Sequence, residues 1–361
     1  MRKHEFQKPL SRAESFASKL GIQLPILLAP MAGACPPSLS IAVANAGGMG
    51  ACGALLMPPN AIDAWAQEFR QHSRGQFQIN LWIPDPPPLR NPQAEARQRD
   101  FLSSWGPPVG PEMGDAGLPN FEEQCRSTVQ AQPQAISSIM GLYPPAFVNE
   151  MKLRGILWFA TVTTVAEARA AEQAGADAIV AQGMEAGGHR GAFHAEDAET
   201  QLVGLMALLP QVCDAVSVPV IATGGIADGR GIAAALILGA SAVQIGTGFL
   251  RSPEAQIHPV YAERLGRTES HETCLTRAFS GRPGRSVRTR YVEAAASQNA
   301  PPPAPYPVQR GYTQPMRKDA AQTGDAERMQ MWAGQAARLS RPEPAASISQ
   351  RLWDETLQFL A

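Results

Sequence analysis

Short apolar runs alternate with segments of helical periodicity along most of the chain. Residues 25–29 read as a strand, 39–45 as a helix and 50–53 as a second strand. A helix follows, with Asn60 as its expected N-cap, because Ile62, Trp65, Ala66 and Phe69 recur at helical spacing. Residues 76–82 alternate into a third strand, and 135–140 and 155–162 read as strands around a helix at 145–153. Thr164, Val165, Ala166 and Glu167 form a capping box that opens a helix to about 173, and Gly175 stops it. Residues 178–182 are a buried strand and 218–222 another. Asp228 caps a helix with Ile232, Ala235 and Leu236 on one face, Gly239 ends it, and 242–245 is the last strand. A helix is expected over 325–339, with Met329, Trp332, Ala333 and Ala336 sharing a face.

One unit repeats: residues 173–180 match 237–244, with 45–52 as a weaker copy. Each is a helix end, a glycine stop, a small residue and a buried strand. Such units recur where helices pack back onto parallel strands. Near-continuous apolar strands imply a sheet covered on both faces. Eight of them, several ending in polar residues, fit an α/β fold of the TIM (β/α)8 type better than a doubly wound sheet.

Length and composition sharpen this. A minimal barrel takes about 250 residues, so the 361 residues leave a surplus. The 32 prolines cluster in an irregular insertion at about 84–118 and again at 301–307. The expected organisation is a barrel over 20–265, interrupted by that insertion. The C-terminal region, 266–361, adds a smaller, partly helical second domain packing on the barrel. With 31 basic and 32 acidic residues, no polyanion-binding excess exists, so nucleic acid and anionic membranes are not expected partners. Five scattered cysteines without a C-x-x-C pair fit reduced thiols. Residues 1–16 lack an apolar signal core, so a cytoplasmic protein is expected. His4, His72, His258 and His271 read as solvated, and no spacing supports a metal site.

The candidate chemistry sits at strand ends. Gly225, Gly246 and Thr247 follow the last two strands, where barrels hold phosphate on backbone amides; plain turn geometry is the competing reading. His189 lies in a glycine-rich loop after the sixth strand, a position suited to a general base. Glu185 either orients that histidine or is solvated. No G-x-G-x-x-G follows a strand and no P-loop is present, so a Rossmann domain is not supported.

Together these segments resemble the nitronate monooxygenase family, formerly 2-nitropropane dioxygenases. The resemblance rests on 25–33, 78–81, 186–191, 222–226, 244–247, 280–285 and 306–309. It implies a barrel flavoprotein with non-covalent FMN. It places Ala29, Pro30 and Met31 by the flavin ring and Asn80, Gln182, Gly187, Gly188, Gly224, Gly225, Gln244, Ile245, Gly246 and Thr247 on the cofactor, with His189 as the active-site histidine. It further implies that dioxygen oxidises alkyl nitronates or nitroalkanes to a carbonyl and nitrite through a flavin semiquinone. Protonated His189 would pair with nitronate oxygens; neutral His189 would remove an α-proton. The alternative is an NAD(P)H-dependent FMN reductase of quinones or enoyl thioesters on the same fold. Residues 137–141 stand where many relatives carry an aromatic, and Tyr306 and Tyr312 are candidates to line the substrate pocket. The oligomeric state, monomer or homodimer, stays open.

Overall fold

The computed structural model describes residues 8–115 and 117–360; His4 lies outside them. Eight parallel strands close a barrel: β1 (Ile26–Leu28), β2 (Met49–Gly53), β3 (Gln76–Trp82), β4 (Ala135–Ile139), β5 (Leu157–Val162), β6 (Ala178–Gln182), β7 (Val220–Thr223) and β8 (Ala242–Ile245). β8 pairs with β1 through Leu27 opposite Gln244, which completes the ring. The expected strands all form, within two residues at each end.

The two-residue side-chain period of a strand divides the barrel interior into layers. Its lower part is apolar: Leu27, Met49, Ala135, Phe159, Ala178, Val180, Ile221 and Ala242 form one buried cluster. Helix Pro9–Leu20, which sequence periodicity had not revealed, contributes Phe16, Ala17 and Leu20 to that cluster and plugs this end. Two residues further along the same inward-facing rows stand Ala29, Ser137, Thr161, Gln182, Thr223 and Gln244. The bottom of the barrel is therefore packed, and its C-terminal mouth is lined by amides and hydroxyls. Outside the strands, Ile26, Leu28, Ile79, Ile136, Trp158, Ile179 and Val243 pack against the surrounding helices in the main core.

The helix-end repeat has a backbone cause. Gly47, Gly175 and Gly239 adopt φ of 95°, 99° and 114°, left-handed turns from each helix into the next strand. The Thr164–Glu167 capping box forms, and Asp228 accepts from the Gly231 amide.

Three expectations are corrected. Asn60 is not an N-cap: helix Pro59–His72 starts one residue earlier, where the fixed φ of Pro59 suits its first position. The proline-rich insertion is not irregular throughout. Asn91 accepts from the Ala94 amide and starts helix Pro92–Ser103, again with proline at the first position. Residues 325–339 are not a helix. Met329, Met331 and Ala333 are buried alternately, a period of two, and Ser286 bridges to Trp332 in antiparallel fashion.

The insertion and the C-terminal region share a second core of Leu102, Val109, Phe279, Tyr291, Val308, Tyr312 and Met316. A small antiparallel sheet of Thr273–Thr276, Gly284–Val287 and Gly188–His189 joins this smaller domain to the barrel mouth. The last helix, Ala345–Leu360, returns to the barrel beside Gly229–Ile237, where Glu355 accepts from the Gly229 amide at 3.1 Å. No helix among the described residues is long and apolar enough to cross a membrane.

Candidate active site

The polar mouth is wired by its own amides. Gln78 donates to Leu28 O at 3.2 Å and to Gln244 Oε1 at 2.9 Å. Asn80 donates to Ser137 O and Oγ, at 3.2 and 3.1 Å. Thr223 donates to Gln244 O at 2.8 Å. Gln182 Oε1 accepts from Arg190 Nη1 and the Gly191 amide, and its Nε2 donates to His189 O. Asn80 Oδ1 and Gln244 Nε2 have no partner among the described residues.

Glycines shape the rim. Gly224 and Gly225 take φ of 112° and 69° after β7, conformations that a side chain disfavours. A Cβ on Gly246 would lie 3.2 Å from Met31 Sδ and 3.3 Å from Ala29 Cβ, so the loops after β1 and β8 meet there. Ile245 is buried in β8. Thr247 Oγ1 accepts from the Gly334 amide at 3.0 Å. Gly187 and Gly334 press together: a Cβ on Gly187 would stand 2.5 Å from Gly334 N. The stretch 331–335 thus lies across both the histidine loop and the loop after β8.

His189 is placed by the strand pair, not by its loop alone. It sits opposite Gly284, with Gly188 opposite Arg285. Its ring is flanked by Trp82 at 4.8 Å and Trp332 at 4.7 Å between centroids. Nε2 lies 2.7 Å from Ser280 Oγ. Ser280 Oγ also lies 3.1 Å from Arg282 O; with its hydroxyl donated there, the neutral imidazole carries its proton on Nε2 and keeps the lone pair on Nδ1. Burial, with help from the Arg282 and Arg310 charges, pushes the imidazole pKa down to about 3. His189 is neutral throughout the physiological range.

Sequence reading missed the cations around it. Arg282 is fully buried, pairs with Asp85 at the start of the insertion, and donates to Ala192 O at 2.7 Å. Arg310 acts electrostatically on both His189 and Tyr306, and its guanidinium has no hydrogen-bond or ion-pair partner among the described residues. Burial lowers its pKa. Tyr306 packs beside Trp82 at 5.8 Å, with its hydroxyl buried and unpartnered. Only the 280–285 and 306–309 motifs had pointed toward this side. Glu185 does not orient His189; its carboxylate accepts from the Leu205 amide at 2.9 and 3.1 Å, at the start of helix Leu205–Ala215. Tyr312 lies in the second core, donating to Glu95 at 2.7 Å. His258 is not simply solvated: its Nδ1 accepts from the Val260 amide.

A parallel eight-stranded barrel, with a polar mouth and a histidine in a glycine loop at the strands' C-terminal ends, defines a TIM-barrel enzyme. Comparison with known proteins makes this specific. The chain belongs to the nitronate monooxygenase family, whose model matches residues 14–355. It is an oxidoreductase of a family that acts on nitronates. A probable nitronate monooxygenase of Staphylococcus aureus (strain Newman) is 33% identical over 348 residues, covering 94% of this chain and 96% of that one. Nitroalkane oxidase from Streptomyces ansochromogenes superposes with a TM-score of 0.86 at 34% identity, over 94% of this chain and 98% of that one. FabK from Thermotoga maritima does so with 0.75 at 30%, covering 96% of each.

Proposed function

We propose that the protein oxidises alkyl nitronates, and nitroalkanes through their nitronates, by dioxygen with FMN as cofactor. The observation that carries this reading is a neutral His189 within electrostatic reach of Arg310, whose guanidinium has no partner among the described residues. A base and a separate cation suit a substrate that loses an α-proton and becomes an anion.

The mouth fits a flavin. Asn80 Oδ1 and Gln244 Nε2 offer an acceptor and a donor that no internal bond consumes. Gly224, Gly225, Gly246 and Thr247 form a rim where backbone can approach a phosphate. Ala29, Pro30 and Met31 would lie along the ring system, and Gln182, Gly187, Gly188 and Ile245 would complete its contacts. When bound, FMN supplies the electron acceptor for the substrate carbon and the reaction centre for dioxygen.

The chain's own residues do the rest. Ser280 holds Nε2–H, which leaves Nδ1 to take the α-proton of a neutral nitroalkane. An anion bound beside the imidazole raises its basicity again. Arg310 meets the negative charge on the nitro oxygens, and the Tyr306 hydroxyl donates to the same anion. Trp82 and Trp332 exclude water around His189 and strengthen both interactions.

Purified protein loaded with FMN should bleach on anaerobic mixing with propionate 3-nitronate and release nitrite once air is admitted, without NAD(P)H. His189→Ala should still bind FMN and should lose nitroethane oxidation by about 10²–10⁴-fold. Bleaching by NADH with none by nitronate would instead identify a reductase of quinones or enoyl thioesters.

A further inference from the structure

Arg190, the residue after His189, is 1% exposed. One arm of its guanidinium serves three acceptors: Nη1 donates to Gln182 O at 3.3 Å, Gln182 Oε1 at 3.0 Å and Gly183 O at 2.9 Å. The other donors are idle: Nε and Nη2 are buried without a partner. No carboxylate forms an ion pair with it among the described residues. The two carboxylates that act on it electrostatically, Glu167 and Glu185, are committed elsewhere. Glu167 accepts from the Thr163, Thr164 and Phe193 amides, and Glu185 from the Leu205 amide. Burial pushes the guanidinium down to about 10, still cationic at neutral pH. Burying a cation without a counter-charge is unfavourable, and packing alone would be served as well by a neutral side chain.

We propose that Arg190 is a positioning residue that acts through Gln182 on the flavin. It locks the Gln182 amide in one orientation, with Oε1 on Arg190 and the Gly191 amide and Nε2 on His189 O. It also holds a positive charge behind the barrel mouth that favours the electron-rich, reduced cofactor. This rests on the flavin reading given above. A second consequence is that the same guanidinium ties the end of β6 to the residue beside His189, so cofactor and histidine keep a common frame.

The test uses full-length protein reconstituted with FMN. Wild type, Arg190→Lys and Arg190→Met are compared by FMN affinity and by flavin midpoint potential, measured against a reference dye. Arg190→Lys keeps the charge and should stay close to wild type in potential. Arg190→Met should lower the ratio of reduced to oxidised flavin at fixed potential at least tenfold, about 30 mV for a two-electron couple. Should Arg190→Met not fold, Arg190→Gln makes the same comparison. A neutral variant with unchanged potential overturns the proposal. So does an equal shift in the Lys and neutral variants, which would mark a packing role. Wild-type protein that takes up no flavin overturns this inference and the flavin reading together.

Discussion

At the scale of single residues, the site separates the base from the charge. His189 stays neutral, with a single ring proton, because burial and two arginines oppose a second; the Arg310 guanidinium has no ion-pair partner among the described residues. With the imidazole pKa lowered to about 3, the base form is present above that value and is lost only as pH falls toward it. The acid limb of kcat/KM for nitroethane should therefore lie below pH 5, and a limb near 6.5 would contradict the assignment. Ser280→Ala removes one hydrogen bond to the imidazole, worth about 1 kcal/mol. It should lower kcat for nitroethane several-fold while leaving nitronate turnover little changed, as rates on the two substrates would show. Arg310→Met should raise KM for propionate 3-nitronate by about 10- to 100-fold, the value of a hydrogen bond to a charged group. His189 was legible in the sequence because its glycine loop follows a buried strand. Arg282 and Arg310 were not, since arginines among prolines and loops look like solvated surface until the second domain closes over them.

At the scale of elements, the barrel strands and their helices were legible because apolar runs, caps and glycine stops are local signals. The missed stretch at 325–339 has a non-local cause. Met329, Trp332, Ala333 and Ala336 fit a helical stripe on paper, yet the backbone amides of 333–335 find partners on other elements. Ala333 donates to Arg285 O, Gly334 to Thr247 and Gln335 to Glu185 O. Long-range bonds of that kind override a local period. Gly334 has no room for a methyl group: a Cβ would sit 2.9 Å from Glu185 O and 3.1 Å from Gly187 N. Gly334→Ala should lift this stretch from the histidine loop. The expected outcome is a lower melting temperature together with weaker FMN retention, read by thermal denaturation and by flavin release on gel filtration.

At the scale of the whole molecule, the insertion and the C-terminal region are clamped to each other and to the barrel. Glu95 in the insertion pairs with Arg90 at 2.6 Å and accepts from Tyr312 of the C-terminal region at 2.7 Å. The Arg90 partner holds its carboxyl at about 2, below the ordinary 4.5. Its contribution is thus complete above about 4.5 and disappears as pH falls toward 2. Glu95→Gln should flatten the loss of thermal stability across that window, a difference that unfolding curves at pH 5 and pH 3 would show. The sequence by itself determined the eight strands, their order and the histidine loop, because hydrophobic period, caps and glycine stops act over a few residues. The family motifs at 280–285 and 306–309 were visible as well, without a location. Only the tertiary structure decided what surrounds His189. The indoles, Ser280 and the arginines come from positions up to 250 residues apart, and the burial that keeps His189 neutral exists only once those segments are packed together.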